Sequence, residues 1–262
     1  MNKIAILIAE SDEPYFQHIK RELYETAWSE FRKNGIDVFY VKGKSDNECI
    51  HRINSKTEVM RYSELWPIQY LVDNLLLLKY RFLKPAVKFE NDVLVVSVPE
   101  GLKYLSVKIL AGLETLREKN YDLVFRTTLS TVLNYKKFVK ITSGFSTDEN
   151  VYAGYLIDFN ENKFVSGSSS LFSKGTVEIL AKNRKKINFG RLDDVAFGRV
   201  LNHKVNPIAL PHTNLGTIDD VNRLSIKDLL SFMSFRCKSI STPRNDDIIA
   251  KLLLNRLSDE SN

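Results

Sequence analysis

Only two cysteines, Cys49 and Cys237, occur in 262 residues, and no Cys-x-x-Cys or Cys/His cluster accompanies them. That excludes a disulfide framework and a structural zinc site as organising devices. No stretch approaches the roughly 18 to 20 apolar residues that cross a bilayer. The opening MNKIAILIAESDEPY holds one short apolar run, broken at Glu10, so it reads as a first buried strand and not a signal peptide. A soluble, cytoplasmic protein with no transmembrane segment is expected. Repeats and low-complexity stretches are missing as well. Basic charge is not concentrated in any stripe: the net +6 arises from 38 Lys and Arg interleaved with 32 Asp and Glu. This balance favours an anionic ligand. A nucleic-acid partner, which the charge and the 11% aromatic content would suggest, has no recognisable module here and is not expected.

What is present suits a folded α/β domain. The chain is 44% hydrophobic and 27% charged, enough apolar residues for one core over 1–262. Strand Ile4 to Ala9 ends in the polar AESDEP, at the place where open α/β sheets hold ligands. Apolar residues Phe16, Ile19, Leu23, Ala27 and Phe31 recur at helical spacing from Tyr15 to about Lys33. GIDVFYVKG is a second strand entered through Gly35. Residues 44–89 are ambiguous and resemble an insertion, with LVDNLLLLKYRFL looking helical. ENDVLVVSV then restores the strand pattern, and the next helix carries Leu102, Leu105, Ile109, Leu113 and Leu116 on one face. A strand at Leu123 to Arg126, short strands and turns over 150–167, helices in KGTVEILAKN and LDDVAFGRVLNHK, and a mixed C-terminal region follow. Residues 258–262 are expected to fray.

Two segments carry chemistry-bearing residues. In RLDDVAFGRVL, Asp193 and Asp194 precede an apolar-periodic run, so they stand at a helix N-terminus, where free N–H groups and the dipole favour carboxylates. Either both are caps, or one caps while the other faces a cleft as a general base. In FVSGSSSLFSKGTVEIL, Gly167 is surrounded by Ser166, Ser168 and Ser169, expected between a strand and a helix. Such a glycine permits close backbone approach, and the hydroxyls can bond sugar hydroxyls; a plain turn explains the same residues.

ENDVLVVSVPEGLKYLSVKILAGLETLREKNYDLVFRTTLSTVLN resembles the central block of the galactosyltransferase and fringe-type glycosyltransferases, a family with a GT-A fold. Lys108 falls on that family's helix lysine. FVSGSSSLFSKGTVEIL is similar to the family's acceptor-side segment, and LDDVAFG to its Glu/Asp-Asp-Val-x-x-Gly motif. The segment YETAWSEFRKNGIDVFYVKG is a weaker likeness of its opening, with Thr26 and Trp28 in place. The resemblance covers residues 90–212 well and 3–43 weakly. It implies a GT-A-like (Rossmann-like) mixed sheet flanked by helices, and transfer of a hexose or N-acetylhexosamine from a nucleotide-sugar donor to a hydroxyl of a glycan or glycoconjugate. It also implies an inverting displacement with Asp193 or Asp194 as base, and the family pattern makes the first of the two the more often cleft-facing.

The chain departs from the family where Asp-x-Asp would hold Mn²⁺: it reads Thr128, Leu129, Ser130. Hydroxyls are poor sole ligands for a hard cation. No cofactor is expected, with Mn²⁺ held by other ligands such as Asp122 or His212 as the alternative. SFRCKSISTPRND resembles a basic tail of bacterial and viral relatives, which makes Arg236 and Lys238 the diphosphate candidates, with Arg126 beside the lost motif. The remaining donor-side candidates are Ala9, Glu10, Ser11, Asp92, Lys108, Thr128 and Ser130; Ser166, Gly167, Ser168 and Ser169 are assigned to the acceptor side. The rival reading is a catalytically inactive relative that retains only sugar or glycan binding.

Overall fold

Burial alternates along Ile4–Ala9, strand β1: Ala5 and Leu7 pack into one apolar core, Ile6 and Ile8 into another on the opposite face. A strand buried on both faces must be central and covered by helices on both sides. The computed structural model describes residues 2–44, 66–159 and 162–259 and shows that arrangement. After β1 the chain runs through α1 (Pro14–Lys33), β2 (Asp37–Gly43), α2 (Trp66–Phe82), β3 (Val87–Glu90), β4 (Val93–Val96) and α3 (Leu105–Glu118). Next come β5 (Leu123–Thr128), β6 (Thr131–Leu133), α4 (Tyr135–Thr142), β7 (Tyr152–Phe159), β8 (Asn162–Ser173), α5 (Lys174–Lys182) and α6 (Asp193–Leu201). The C-terminal part supplies β9 (Ile208–Ala209), β10 (His212–Leu215), α7 (Ile218–Arg223), α8 (Ile226–Ser231), β11 (Ser234–Cys237) and α9 (Asp246–Asp259).

The main sheet has eight strands in the order β3-β4-β2-β1-β5-β8-β7-β9. Strands β4, β2, β1 and β5 are parallel, while β3 and β8 run antiparallel to their neighbours β4 and β5. The chain moves outward from β1 to β2 and β4, then returns through α3 to place β5 on the other side of β1. That reversal is a topological switch point, which opens a crevice beyond the carboxyl ends of β1 and β5. Helix α3, buried from Ser106 to Leu116, covers one face. Helix α1 covers the other with Ile19, Leu23, Ala27, Trp28 and Phe31, so this single domain is the mixed, helix-flanked α/β sheet that the resemblance implies. A second sheet, β10-β11-β6, adjoins β5 at the crevice.

Several sequence expectations change here. Gly167 is not in a loop between strand and helix: it lies inside β8, a twelve-residue strand, and the helix begins only after Ser173, whose hydroxyl caps it through the Thr176 N–H. Serine disfavours strands, but these serines are buried and bonded, so tertiary pairing overrides propensity. Leu102, expected on the buried face of the α3 helix, stands in a 3-10 turn before it and is 70% exposed. Asn91 adopts φ +56°, which turns Asn91-Asp92 into the bend of the β3–β4 hairpin. Of the ambiguous 44–89 segment, residues 45–65 lie outside the described residues; its remainder is α2, packed on the core through Leu77 and Tyr80, and the edge strand β3. Ser258 and Asp259 are helical, and 260–262 lie outside the described residues. Among the described residues, no helix is long and apolar enough to cross a membrane.

Candidate functional site

A cleft of about 610 Å³ opens at the switch point. Ala9, Glu10 and Ser11 border it from the end of β1, and Arg126, Thr128 and Ser130 from the end of β5. Ser166, Gly167 and Ser168 come from β8, Asp193 and Asp194 from the start of α6, Lys108 from α3, and Arg236 and Lys238 from β11. Residues far apart in sequence thus meet at one place. The Cys237 N–H donates to the Ser130 carbonyl (2.7 Å), which fixes the end of β11, with its two cations, against the end of β5.

Two of the expected residues lie elsewhere. Asp92 is in the β3–β4 turn, at the amino ends of the parallel strands and so at the opposite edge of the sheet from the cleft; its carboxylate is 3.6 Å from Arg32. The Ser169 hydroxyl bonds Ser234 (2.9 Å) in the second sheet and does not border the cleft.

The structure separates the two aspartates, which the sequence left equivalent. Asp193 is 3% exposed and locked to Arg126, whose Nη2 donates to Oδ1 (3.1 Å) while Nε lies 2.9 Å from Oδ2 as a charge contact without hydrogen-bond alignment. Burial pushes the Asp193 carboxyl above its usual range; Arg126 opposes that shift and Asp194 adds to it. Asp194 is half-buried, borders the cleft, and accepts from the Gly167 N–H (3.2 Å) and the Val195 N–H (2.8 Å). Its hydrogen-bond donors are neutral, and among the described residues it forms no ion pair, Arg236 acting on it only from further away. Both aspartates border the cleft, but Asp193 is buried in its pair with Arg126 while Asp194 is the more exposed of the two. Gly167 is required by close approach: a Cβ there would run into the buried Arg126 guanidinium.

Charge pairing decides which groups can receive a ligand. Lys108 pairs with Glu100, Arg126 with Asp193, Lys20 with Glu10 (3.0 Å), and Arg244 with Asp246. Arg236 and Lys238 form no ion pair among the described residues, although Asp194 and Asp246 lie near enough to Arg236 to favour its charge, and Asp12 and Glu13 stand exposed at the rim. Burial and the nearby Arg126 both work against the charge on Arg236. A bound anion would relieve that cost. Lys108 and Arg126 border the cleft but already have counter-ions.

The position of the lost metal motif is filled differently. Ser130 Oγ donates to Asp246 Oδ2 (2.6 Å), and the Thr128 and Thr131 hydroxyls bond each other at 3.0 Å. Asp246 is fully buried; burial raises its pKa, but Arg244, the Ser130 hydroxyl and the Ser239 N–H outweigh that and hold it below the ordinary value. Arg244 in turn lies over the rings of Tyr15 (5.1 Å) and Phe16 (5.6 Å). A hard divalent ion wants several anionic oxygens. Among the described residues, the motif itself offers only the Thr128 and Ser130 hydroxyls, and the one carboxylate bonded to it, Asp246, already serves Arg244, a donor set that does not fit Mn²⁺. Asp122 accepts from the Lys3 N–H (2.7 Å) at the amino end of β5, the wrong end for the cleft. Arg244 and Asp246 were within reach of sequence reasoning as parts of the PRND tail, but their mutual pairing was not.

His212 lies outside the cleft lining, stacked on Tyr155 at 4.4 Å, with Nδ1 2.7 Å from Ser234 Oγ. Burial, helped by Arg236, pushes its pKa down to about 4. Between the ordinary value near 6.5 and about 4, the unfolded chain binds a proton that the folded protein does not. Stability is therefore expected to fall as pH drops through this window, by about 3 kcal/mol from this group. Urea denaturation across that range, compared with His212→Gln, checks it: the variant should lose this part of the slope.

No protein-family model and no curated protein sequence matches the chain. Among solved structures, it is similar to a glycosyltransferase involved in glycosylation of the major capsid of PBCV-1, at 8% identity and TM-score 0.47 over 95% of this chain and 98% of that one. It is also similar to galactosyltransferase LgtC in complex with donor and acceptor sugar analogues, at 9% identity and TM-score 0.44 over 95% of each chain. The glycosyltransferase GlyE of Streptococcus pneumoniae TIGR4 matches at 11% identity and TM-score 0.40, over all of this chain and 64% of that one.

Proposed function

We propose that the protein is a glycosyltransferase of GT-A type, which moves a sugar from a nucleotide-sugar donor to a hydroxyl of a glycan or glycoconjugate by inverting, metal-independent displacement. The observation that carries this reading is the charge arrangement of the switch-point cleft: Arg236 and Lys238, which form no ion pair among the described residues, share it with Asp194, a half-buried carboxylate that forms none either and whose field reaches Arg236. A diphosphate supplies the counter-charge the cations lack. Asp194 takes the proton of the acceptor hydroxyl as its oxygen attacks the anomeric carbon. The new carbon–oxygen bond forms as the bond to the diphosphate breaks, and the leaving charge stays on Arg236 and Lys238. Ser166 and Ser168, whose hydroxyls lie 3.0 Å apart at the cleft wall, are placed to bond the sugars. Asp193, paired with Arg126, holds the N-terminus of α6 and so orients Asp194.

The test is release of free nucleotide from a panel of nucleotide sugars by protein treated with EDTA. Turnover is expected to match that of untreated protein, because guanidinium and ammonium groups replace the ion at the diphosphate. Turnover lost in EDTA and restored by Mn²⁺ would overturn metal independence.

A further inference from the structure

Helix α2 is apolar on two opposite sides. Leu77 and Tyr80 are buried against the core, and Asp73, on the same side, accepts from Tyr104 Oη and Lys103 Nζ. At about 100° per residue, Leu71, Leu75, Leu78 and Phe82 fall within about 60° of one another on the opposite side. They are 59%, 58%, 47% and 59% exposed. A helix apolar all round is normally covered all round. Surface leucines scattered singly need no explanation; a continuous stripe of this length marks an interaction surface.

The surroundings of the stripe are basic. Lys79 and Arg81 flank it on the helix, and Lys84, Lys185 and Lys186 stand exposed beside it, Lys185 over the Phe82 ring at 5.4 Å. Arg81 ties the helix to the 184–186 turn through the Lys185 carbonyl. Of the acidic residues nearby, Asp73 is turned into the core and Glu118 is paired with Lys84. The 188–190 segment borders a groove beside α2 together with Leu78.

We propose that this face docks on an anionic phospholipid surface, with α2 lying in the interface plane. An apolar stripe flanked by Lys and Arg fits that partner: the leucines and phenylalanine enter the acyl boundary while the cations meet lipid phosphates. A second copy of the chain would set these cations against their own kind. Helix α2 is 17 residues long and carries Asp73, Lys79 and Arg81, so it lies on a membrane and does not span one. The inference stands independently of sugar transfer.

The experiment is cosedimentation of the whole chain with vesicles of phosphatidylcholine alone and with a quarter of phosphatidylglycerol, with analytical ultracentrifugation of the free protein. Binding to the anionic vesicles is expected to exceed binding to the neutral ones at least tenfold, and to weaken with salt. Leu75→Glu with Leu78→Glu should abolish it, and Lys79→Glu with Lys185→Glu should weaken it at least tenfold. These positions are exposed, and unchanged thermal melts of both variants would confirm that they fold. Equal binding to both vesicles, or to neither, overturns the proposal. So does a concentration-dependent dimer of the free protein that the leucine variant dissolves.

Discussion

Asp194→Asn is expected to lower sugar transfer by about 10²- to 10⁴-fold, the usual contribution of a positioned general base, while the melting temperature stays within a few degrees. The Gly167 N–H donates to one carboxylate oxygen and the Val195 N–H to the other, so asparagine keeps one of these two bonds and loses the other, a cost of about 1 kcal/mol that leaves α6 folded. Donor binding should survive, because a base acting on the acceptor loses no contact with the nucleotide. Asp193→Asn is expected to do the reverse. It leaves the Arg126 guanidinium buried without its counter-charge, which costs about 3 to 5 kcal/mol and lowers the melting temperature on the order of 10 °C. Below that temperature, its transfer rate should stay within about tenfold of wild type. Steady-state rates and thermal melts of the two variants side by side check the assignment. If Asp193→Asn removes transfer without loss of stability, the roles of the two aspartates are exchanged.

The second large effect concerns the donor. Arg236→Ala should weaken binding of a nucleoside diphosphate by about 10- to 100-fold and leave the corresponding nucleoside almost unaffected. A charge-assisted hydrogen bond to phosphate is worth about 1.5 to 3 kcal/mol, and the nucleoside offers no such group. Arg236 is suited to this because, among the described residues, it forms no ion pair, unlike Lys108 or Arg126, and feels Asp194 and Asp246 only from further away. Calorimetry with both ligands decides the matter. Equal losses for the two would make Arg236 a structural residue of the second sheet, where it pairs in register with Thr131 and Asn214.

The parts of this molecule legible from sequence are those where local pattern and tertiary role agree. Helix α1 follows its apolar spacing from Phe16 to Phe31, and β1 and β5 follow their buried runs, so the sheet centre and the loops at its carboxyl ends could be read directly. The start of α6 was legible too, because two carboxylates before an apolar run mark a helix N-terminus. What distinguishes Asp193 from Asp194 was not, since it depends on Arg126, 67 residues away in sequence. Strand β8 was read as a loop because Ser166 to Ser170 lack strand propensity, and only their bonds to Thr127, Ser234 and one another compensate. The END sequence before β4 looked like part of a strand, yet Asn91 can adopt positive φ and makes it a hairpin bend, which carries Asp92 away from the cleft. The helical look of LVDNLLLLKYRFL agrees with α2, but which side of it is buried is not legible from sequence because both sides are apolar.

The most direct test of sugar transfer is mass spectrometry of a glycan panel after incubation with the wild-type protein and nucleotide sugars in EDTA. The predicted result is an acceptor heavier by one sugar residue, one nucleoside diphosphate released for each sugar added, and neither product with Asp194→Asn. A protein that binds donors but leaves every glycan mass unchanged would contradict transfer and identify the cleft as a binding site alone.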